Sequence, residues 1–146
     1  MNKNEKLEQY YARCDMSLIK GHLKVLLEKA KIEITEITVE DIDLENMVLI
    51  DVREADEFAS GHIPANSLFT IPRGKLEFAV DDKLLDVSNR EVVCYCLKGA
   101  RGLLAAKTLK DLGFTNVVNL KGGIEGWVQS GRSIKNYLGS FKLERP

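Results

Sequence analysis

A cysteine that closes an apolar run and opens onto a short basic loop is placed for nucleophilic chemistry, and Cys96 has that setting. Glu91-Val92-Val93-Cys94-Tyr95-Cys96 reads as a strand buried on both faces, and the segment after it leads into a helix running through Leu112. In open parallel sheets, ligands bind beyond the carboxyl ends of the strands. The glycines of Leu97-Lys98-Gly99-Ala100-Arg101-Gly102 let the backbone curl so that several N–H groups turn inward, forming a nest whose partial charge adds to that of a helix N-terminus. Such surroundings lower a cysteine pKa from about 8.5 into the range of roughly 3.5–7.5. Lys98 and Arg101 add positive charge suited to an anionic substrate. The chemistry expected is covalent catalysis by Cys96, with Leu97, Lys98, Gly99, Ala100, Arg101 and Gly102 holding the substrate. It demands that the sulfur reach solvent, because a thiol sealed under the core would leave only a fold.

Other reactive types read more plainly as structure. Cys94, in mid-strand, is a core residue, and Cys14 stands in no motif. Asp51 and Arg53 end an apolar run and are expected to form a structural ion pair, since buried charge needs a partner. His62 sits in a Gly-His-Ile-Pro turn and is expected to bond backbone, not to act as a base. Phe58 and Trp127 are assigned to the core, while Arg73 and Glu77 are weak candidates for the rim of the pocket. Two histidines and no cluster of ligand type give no expectation of a metal site.

The elements that must position Cys96 follow from periodicity. Ile19, Leu23, Leu26, Leu27 and Ala30 predict an amphipathic helix over Ser17 to Ala30. Ile32 to Ile37 suits a short edge strand, Thr38 with Asp41 a helix start, and Met47 to Val52 a buried strand. Glu54 to Ser60 reads as a short helix closed by Gly61. The stretch holding Pro64 and Pro72 is expected to be loop, followed by a turn or two of helix from Arg73 to Val80. In the helix after Cys96, Leu103, Leu104, Ala106, Thr108 and Leu109 face the sheet and Gly113 is the stop. Asn116 to Leu120 is a third strand, Gly122-Gly123 a turn and Ile124 to Gln129 a last helix. This alternation predicts an α/β domain, a mainly parallel central sheet with helices on both faces and an extra N-terminal helix.

At 146 residues, with 45% hydrophobic and 29% charged residues, the chain has the size and balance of one globular domain. Its net charge of -1 provides no global field for nucleic acid, and three cysteines make no secreted disulfide framework. No run approaches the roughly 18 apolar residues of a membrane span, and none follows the charges of Met1-Asn2-Lys3-Asn4-Glu5-Lys6. A cytoplasmic protein without membrane or nucleic-acid partners is expected, although a mature exported form given a new Met would read the same.

Three ordered segments resemble the rhodanese-like domains. Leu49-Ile50-Asp51-Val52-Arg53-Glu54 with Glu57-Phe58 and Gly61-His62-Ile63-Pro64-Ala65 is similar to the first signature of that family. Val93 to Arg101 is similar to its active-site strand and loop, and Gly122-Gly123-Ile124-Glu125-Gly126-Trp127 to its C-terminal signature. The likeness covers about Thr35 to Ser133, which sets expected boundaries of an N-terminal helical extension at 1–31, the domain at 32–134 and a tail at 135–146. It implies a sulfurtransferase without cofactor, in which Cys96 takes sulfur as a persulfide from a small anionic donor such as thiosulfate and yields it to a thiol or a protein acceptor. The loop from Cys96 to Arg101 counts six residues, as in sulfur-transferring members, where the phosphatases of this fold have one more. Gly102 replaces a serine common in the family, which removes one helix cap, and Ser133 replaces a proline. Two other functions stay open: a sulfur carrier or interaction module served by the N-terminal helix, and a phosphatase or arsenate reductase.

Overall fold

The apolar runs become the centre of the sheet. In a computed structural model that describes residues 16–143, β2 (Val48–Asp51) and β4 (Val92–Tyr95) are buried at every position, as strands covered on both faces must be. They pair with each other and are flanked by β3 (Ser67–Thr70) and β5 (Val117–Leu120), with β1 (Glu36–Ile37) at the far edge. The order is β1-β5-β4-β2-β3 and every pairing is parallel. All carboxyl ends therefore open on one side of the molecule.

Successive side chains of a strand point to opposite faces. Val48, Ile50, Val92, Cys94 and Cys96 share one face, which is covered by α1 (Gly21–Glu33) and α4 (Ala100–Asp111). Leu49, Val93, Tyr95 and Leu120 share the other, under Ile63, Ile134 and the Ile124 and Trp127 side chains of α5 (Gly123–Gln129). Trp127 is thus core, with its indole N–H donating to the Ser133 carbonyl at 2.9 Å. Helices on both faces of a parallel sheet are the architecture expected.

Four local expectations are corrected. The N-terminal helix begins at Gly21, not Ser17, and buries only Leu27 and Ala30 while Leu23 and Leu26 are 43% and 51% exposed. It continues to Glu33, so Ile32 lies on it at 86% exposure and the edge strand shrinks to two residues. Between the prolines, Ser67–Thr70 forms β3: Pro64 and Pro72 bound the strand, and its half-buried edge position carries no apolar run. The helical segment after Pro72 outlasts Val80, running through α3 (Leu76–Ala79), a π turn at Val80–Leu84 and a 3₁₀ turn at Leu85–Val87. Leu76, Val80, Leu84 and Val87 stay buried through these changes of pitch. The expected tail begins with an antiparallel hairpin, β6 (Ile134–Asn136) and β7 (Gly139–Phe141). Boundaries at 31 and 134 would fall inside α1 and at the first residue of β6. Cys14 lies outside the described residues. Among those described, no helix is long and apolar enough to cross a membrane.

Two contacts at Gly61 hold the first signature against the sheet. Arg53 donates through Nε and Nη2 to the fully buried Asp51 carboxylate, the shortest bond being 2.7 Å, and Nη2 also reaches the Gly61 carbonyl at 2.7 Å. Burial works against the Arg53 charge, but the Asp51 hydrogen bonds and carboxylate outweigh it and raise its pKa. A Cβ at Gly61 would come within 2.6 Å of Ile134 Cδ1, so the hairpin packs closely here and a larger residue would displace that methyl. His62 main-chain N–H and C=O exchange 2.9 Å bonds with Lys135, but the backbone bond expected of its imidazole is not found: Nδ1 is buried without a hydrogen-bond partner among the described residues, and the ring lies 4.4 Å from that of Phe58 on α2 (Ala55–Ser60). Arg53→Ala would leave Asp51 as a buried, unpaired charge and is expected to cost about 3–5 kcal/mol in denaturant unfolding, with an unchanged m-value.

Candidate active site

β4 delivers Cys96 to the carboxyl edge at the middle of the sheet, between the ends of β2 and β5. The chain then turns through Gly99, whose φ of +124° requires glycine, and enters α4 at Ala100. The Gly99 N–H donates to Cys96 Sγ at 3.1 Å. A donor aimed at sulfur favours the thiolate over the thiol. Among the described residues this is the one amide found on the sulfur, where the sequence led us to expect several.

The start of the loop is clasped from behind. Ile124 N–H donates to the Cys96 carbonyl at 2.9 Å and Glu125 N–H to that of Leu97 at 3.0 Å. A Cβ on Gly123 would lie 2.5 Å from both carbonyl oxygens, and its φ is +59°. The Gly122-Gly123 turn exists to bring the first amides of α5 this close. Gly102 has a similar reason: a Cβ there would meet Asn119 Oδ1 at 2.3 Å.

Two findings depart from the expected site. First, Cys96 is fully buried. A cleft of about 540 Å³ at this edge is lined by Leu97 and Lys98 of the loop together with Arg53, Asp56, Glu57, Ser60 and Glu125, not by Cys96. The thiol has no exposed surface, and a reagent reaches it only after part of the structure at this edge moves. Second, the cations of the loop face carboxylates. Arg101 makes a bidentate pair with Glu57, at 2.7 and 3.0 Å, and Lys98 Nζ stands 4.0 Å from Glu125. With Arg53 held by Asp51, the cleft presents two cations against three carboxylates and lacks the surplus of positive charge expected from the loop alone.

The remaining candidates separate clearly. Arg73 pairs with Glu77 at 2.8 Å and donates to Thr108 Oγ1 at 2.9 Å, and neither lines the cleft. Cys94 is buried on the same face as Cys96, and burial pushes its pKa up well beyond the usual thiol range. Among the described residues no group of three or more His, Cys, Asp or Glu is placed to hold a metal ion. Sequence reading missed Glu57 as the partner of Arg101, 44 residues away, and Asn119 beneath the loop. The one signal for Asn119 is a polar residue inside an apolar strand.

Burial works against the Glu57 carboxylate, but bonds from Arg101 and the Glu54 amide and the Arg101 charge outweigh it and hold its pKa below the ordinary value. A depressed carboxylate pKa contributes stability that is present above the unfolded value of about 4.3 and lost as pH falls through the folded one. Denaturant titrations from pH 7 downward are expected to show Glu57→Gln less stable by about 1–3 kcal/mol at pH 7, the gap closing in acid below about pH 4.

The comparisons agree with this geometry. The family profile described as "Rhodanese-like domain" matches residues 36–130. A sulfurtransferase of Allochromatium vinosum is 35% identical over 92 residues, covering 63% of this chain and 81% of that one. The thiosulfate:glutathione sulfurtransferase of Saccharomyces cerevisiae is 33% identical over 94 residues, covering 59% and 68%. Three further curated relatives are matched over 32% to 59% of their length. Among solved structures, a Rhodopseudomonas palustris protein of unknown function, titled a possible tyrosine phosphatase, superposes with a TM-score of 0.69 at 30% identity over 80% of this chain and 96% of that one. The polysulfide-sulfur transferase homodimer of Wolinella succinogenes gives 0.63 at 26% identity over 99% and 96%. A cysteine loop at the carboxyl edge of a parallel sheet, clasped by a diglycine turn, and a profile match over most of the domain place the chain in the rhodanese-like family of sulfurtransferases.

Proposed function

We propose that Cys96 takes a sulfane sulfur from a small anionic donor such as thiosulfate, carries it as a persulfide and passes it to a thiol, either a small molecule or a partner protein's cysteine. The observation that supports this most is Cys96 at the carboxyl end of the central strand with the Gly99 N–H on its sulfur at 3.1 Å. In the first step the Cys96 thiolate attacks the outer sulfur of thiosulfate, the S–S bond breaks and sulfite leaves with the electron pair. In the second, the acceptor thiolate attacks the terminal sulfur of the persulfide and Cys96 leaves as thiolate. Both steps move electron pairs between sulfur atoms and call for no cofactor.

Leu97, Lys98, Gly99, Ala100, Arg101 and Gly102 form the donor site in this reading. The names of the sulfurtransferase relatives support a sulfane donor. Because Cys96 is buried at rest, the donor reaches the sulfur only after a rearrangement at this edge that leaves the Gly99 N–H on Sγ. Glu57 and Glu125 offset the loop cations, so recognition of the anion falls to the loop amides more than to side-chain charge. A second reading, a carrier that delivers persulfide to one protein, is favoured by the exposed Leu23 and Leu26 on α1. A phosphatase role is opposed by the six-residue loop, and phosphate-ester hydrolysis lost in Cys96→Ser would reverse that judgement.

Intact mass after incubation with thiosulfate tests the covalent step. The wild type is expected to gain one sulfur atom and Cys96→Ala none. Absence of any gain, together with native-state alkylation of Cys96 as slow as that of buried Cys94, would leave the chain a fold without this chemistry.

A further inference from the structure

β5 carries one polar side chain into an apolar interior. Asn119 is fully buried and lies in register with Cys94 on β4 and Glu36 on β1. Its Nδ2 donates to the Gly99 carbonyl at 3.1 Å and to Glu36 Oε2 at 3.0 Å. Its Oδ1 is buried with no hydrogen-bond partner among the described residues and faces Gly102, where a Cβ would come within 2.3 Å. A buried amide with one atom unsatisfied costs stability. Such a placement is retained for what its other end holds, and that end holds the residue that bonds the reactive sulfur.

We infer that Asn119 is a positioning residue for Cys96, clamping the Gly99 carbonyl so that the Gly99 N–H stays on Sγ. The inference rests on the reading of Cys96 as the sulfur nucleophile. Gly99 has no side chain to limit rotation, and at φ +124° its neighbouring peptide units are held only by their bonds. Its carbonyl accepts from Asn119 Nδ2 and from Leu103 N–H at 3.0 Å, and its own N–H points at sulfur. Glu36 takes the second proton of Nδ2 and so fixes which way the amide faces. The place where Gly102 stands instead of serine is the place that makes room for the Asn119 amide.

The function of the clamp is electrostatic. A hydrogen bond to the charged form of an acid favours ionisation, and a Lys98–Gly99 peptide free to turn about the unclamped Gly99 would supply less of it. Three ion pairs at this edge, Arg53 with Asp51, Arg101 with Glu57 and Lys98 with Glu125, do not involve Asn119, whose one charged partner is Glu36. Replacing Asn119 by a neutral residue alters none of them.

The test is a pH titration of ultraviolet thiolate absorbance on the full chain, with the Cys96→Ser signal subtracted so that Cys14 and Cys94 drop out. Asn119→Ala is expected to give a smaller thiolate absorbance than wild type at each pH on the rising limb, by up to about tenfold. Asn119→Ser, which cannot reach Gly99 but leaves space for water, should shift it in the same direction and serves where Asn119→Ala does not fold. A titration curve superimposable on wild type in either folded variant would overturn the inference. Failure of the sulfur-transfer reading shows separately, as a wild type that differs from Asn119→Ala in thiolate absorbance but takes up no sulfur from thiosulfate.

Discussion

The loop after β4 is built on backbone carbonyls held from outside it. Cys96 and Leu97 present their C=O groups to the first amides of α5, and Gly123 permits the approach because a Cβ would collide with both oxygens. Once those carbonyls are fixed on one side, the chain must return toward α4 within three residues, and Gly99 makes the turn. The thiol, the donor N–H and the start of α4 are consequences of that clasp. The two signatures, far apart in sequence, are the two halves of one contact.

A second constraint comes from charge. The first signature contributes Asp51 and Arg53, which neutralise each other in the interior, and Glu57, which takes the loop arginine in a bidentate grip. Polar side chains at this edge are therefore engaged in holding backbone and loop in place. Little of their charge is directed at the cleft. Arg53 spans from Asp51 to the Gly61 carbonyl, so the strand end, the helix after it and the hairpin packed on Gly61 are set by one guanidinium.

How much of this was legible in the sequence follows from how local each signal is. β2, β4 and β5 announce themselves as apolar runs because both faces are covered. β3 does not, being a half-buried edge strand between prolines, and the three-residue strands of the hairpin are too short to show a period. Cys96, its loop and the diglycine turn could be named from type and order alone. The Arg101–Glu57 pair and the Asn119 clamp could not, since each joins residues distant in the chain whose proximity only the sheet order creates. Burial of Cys96 was equally unreadable, because the pattern of a strand says nothing of what covers the residue after it.

Cys94 gives the arrangement a chemical direction. It shares a face with Cys96 two residues away, but apolar surroundings keep it protonated, and a protonated thiol is a poor nucleophile. In the proposed reaction, sulfur on Cys96 has no ionised neighbour on the strand to move to. An acceptor thiol arriving at this edge therefore meets no competitor on the strand, and Cys94 takes no part in the proposed transfer.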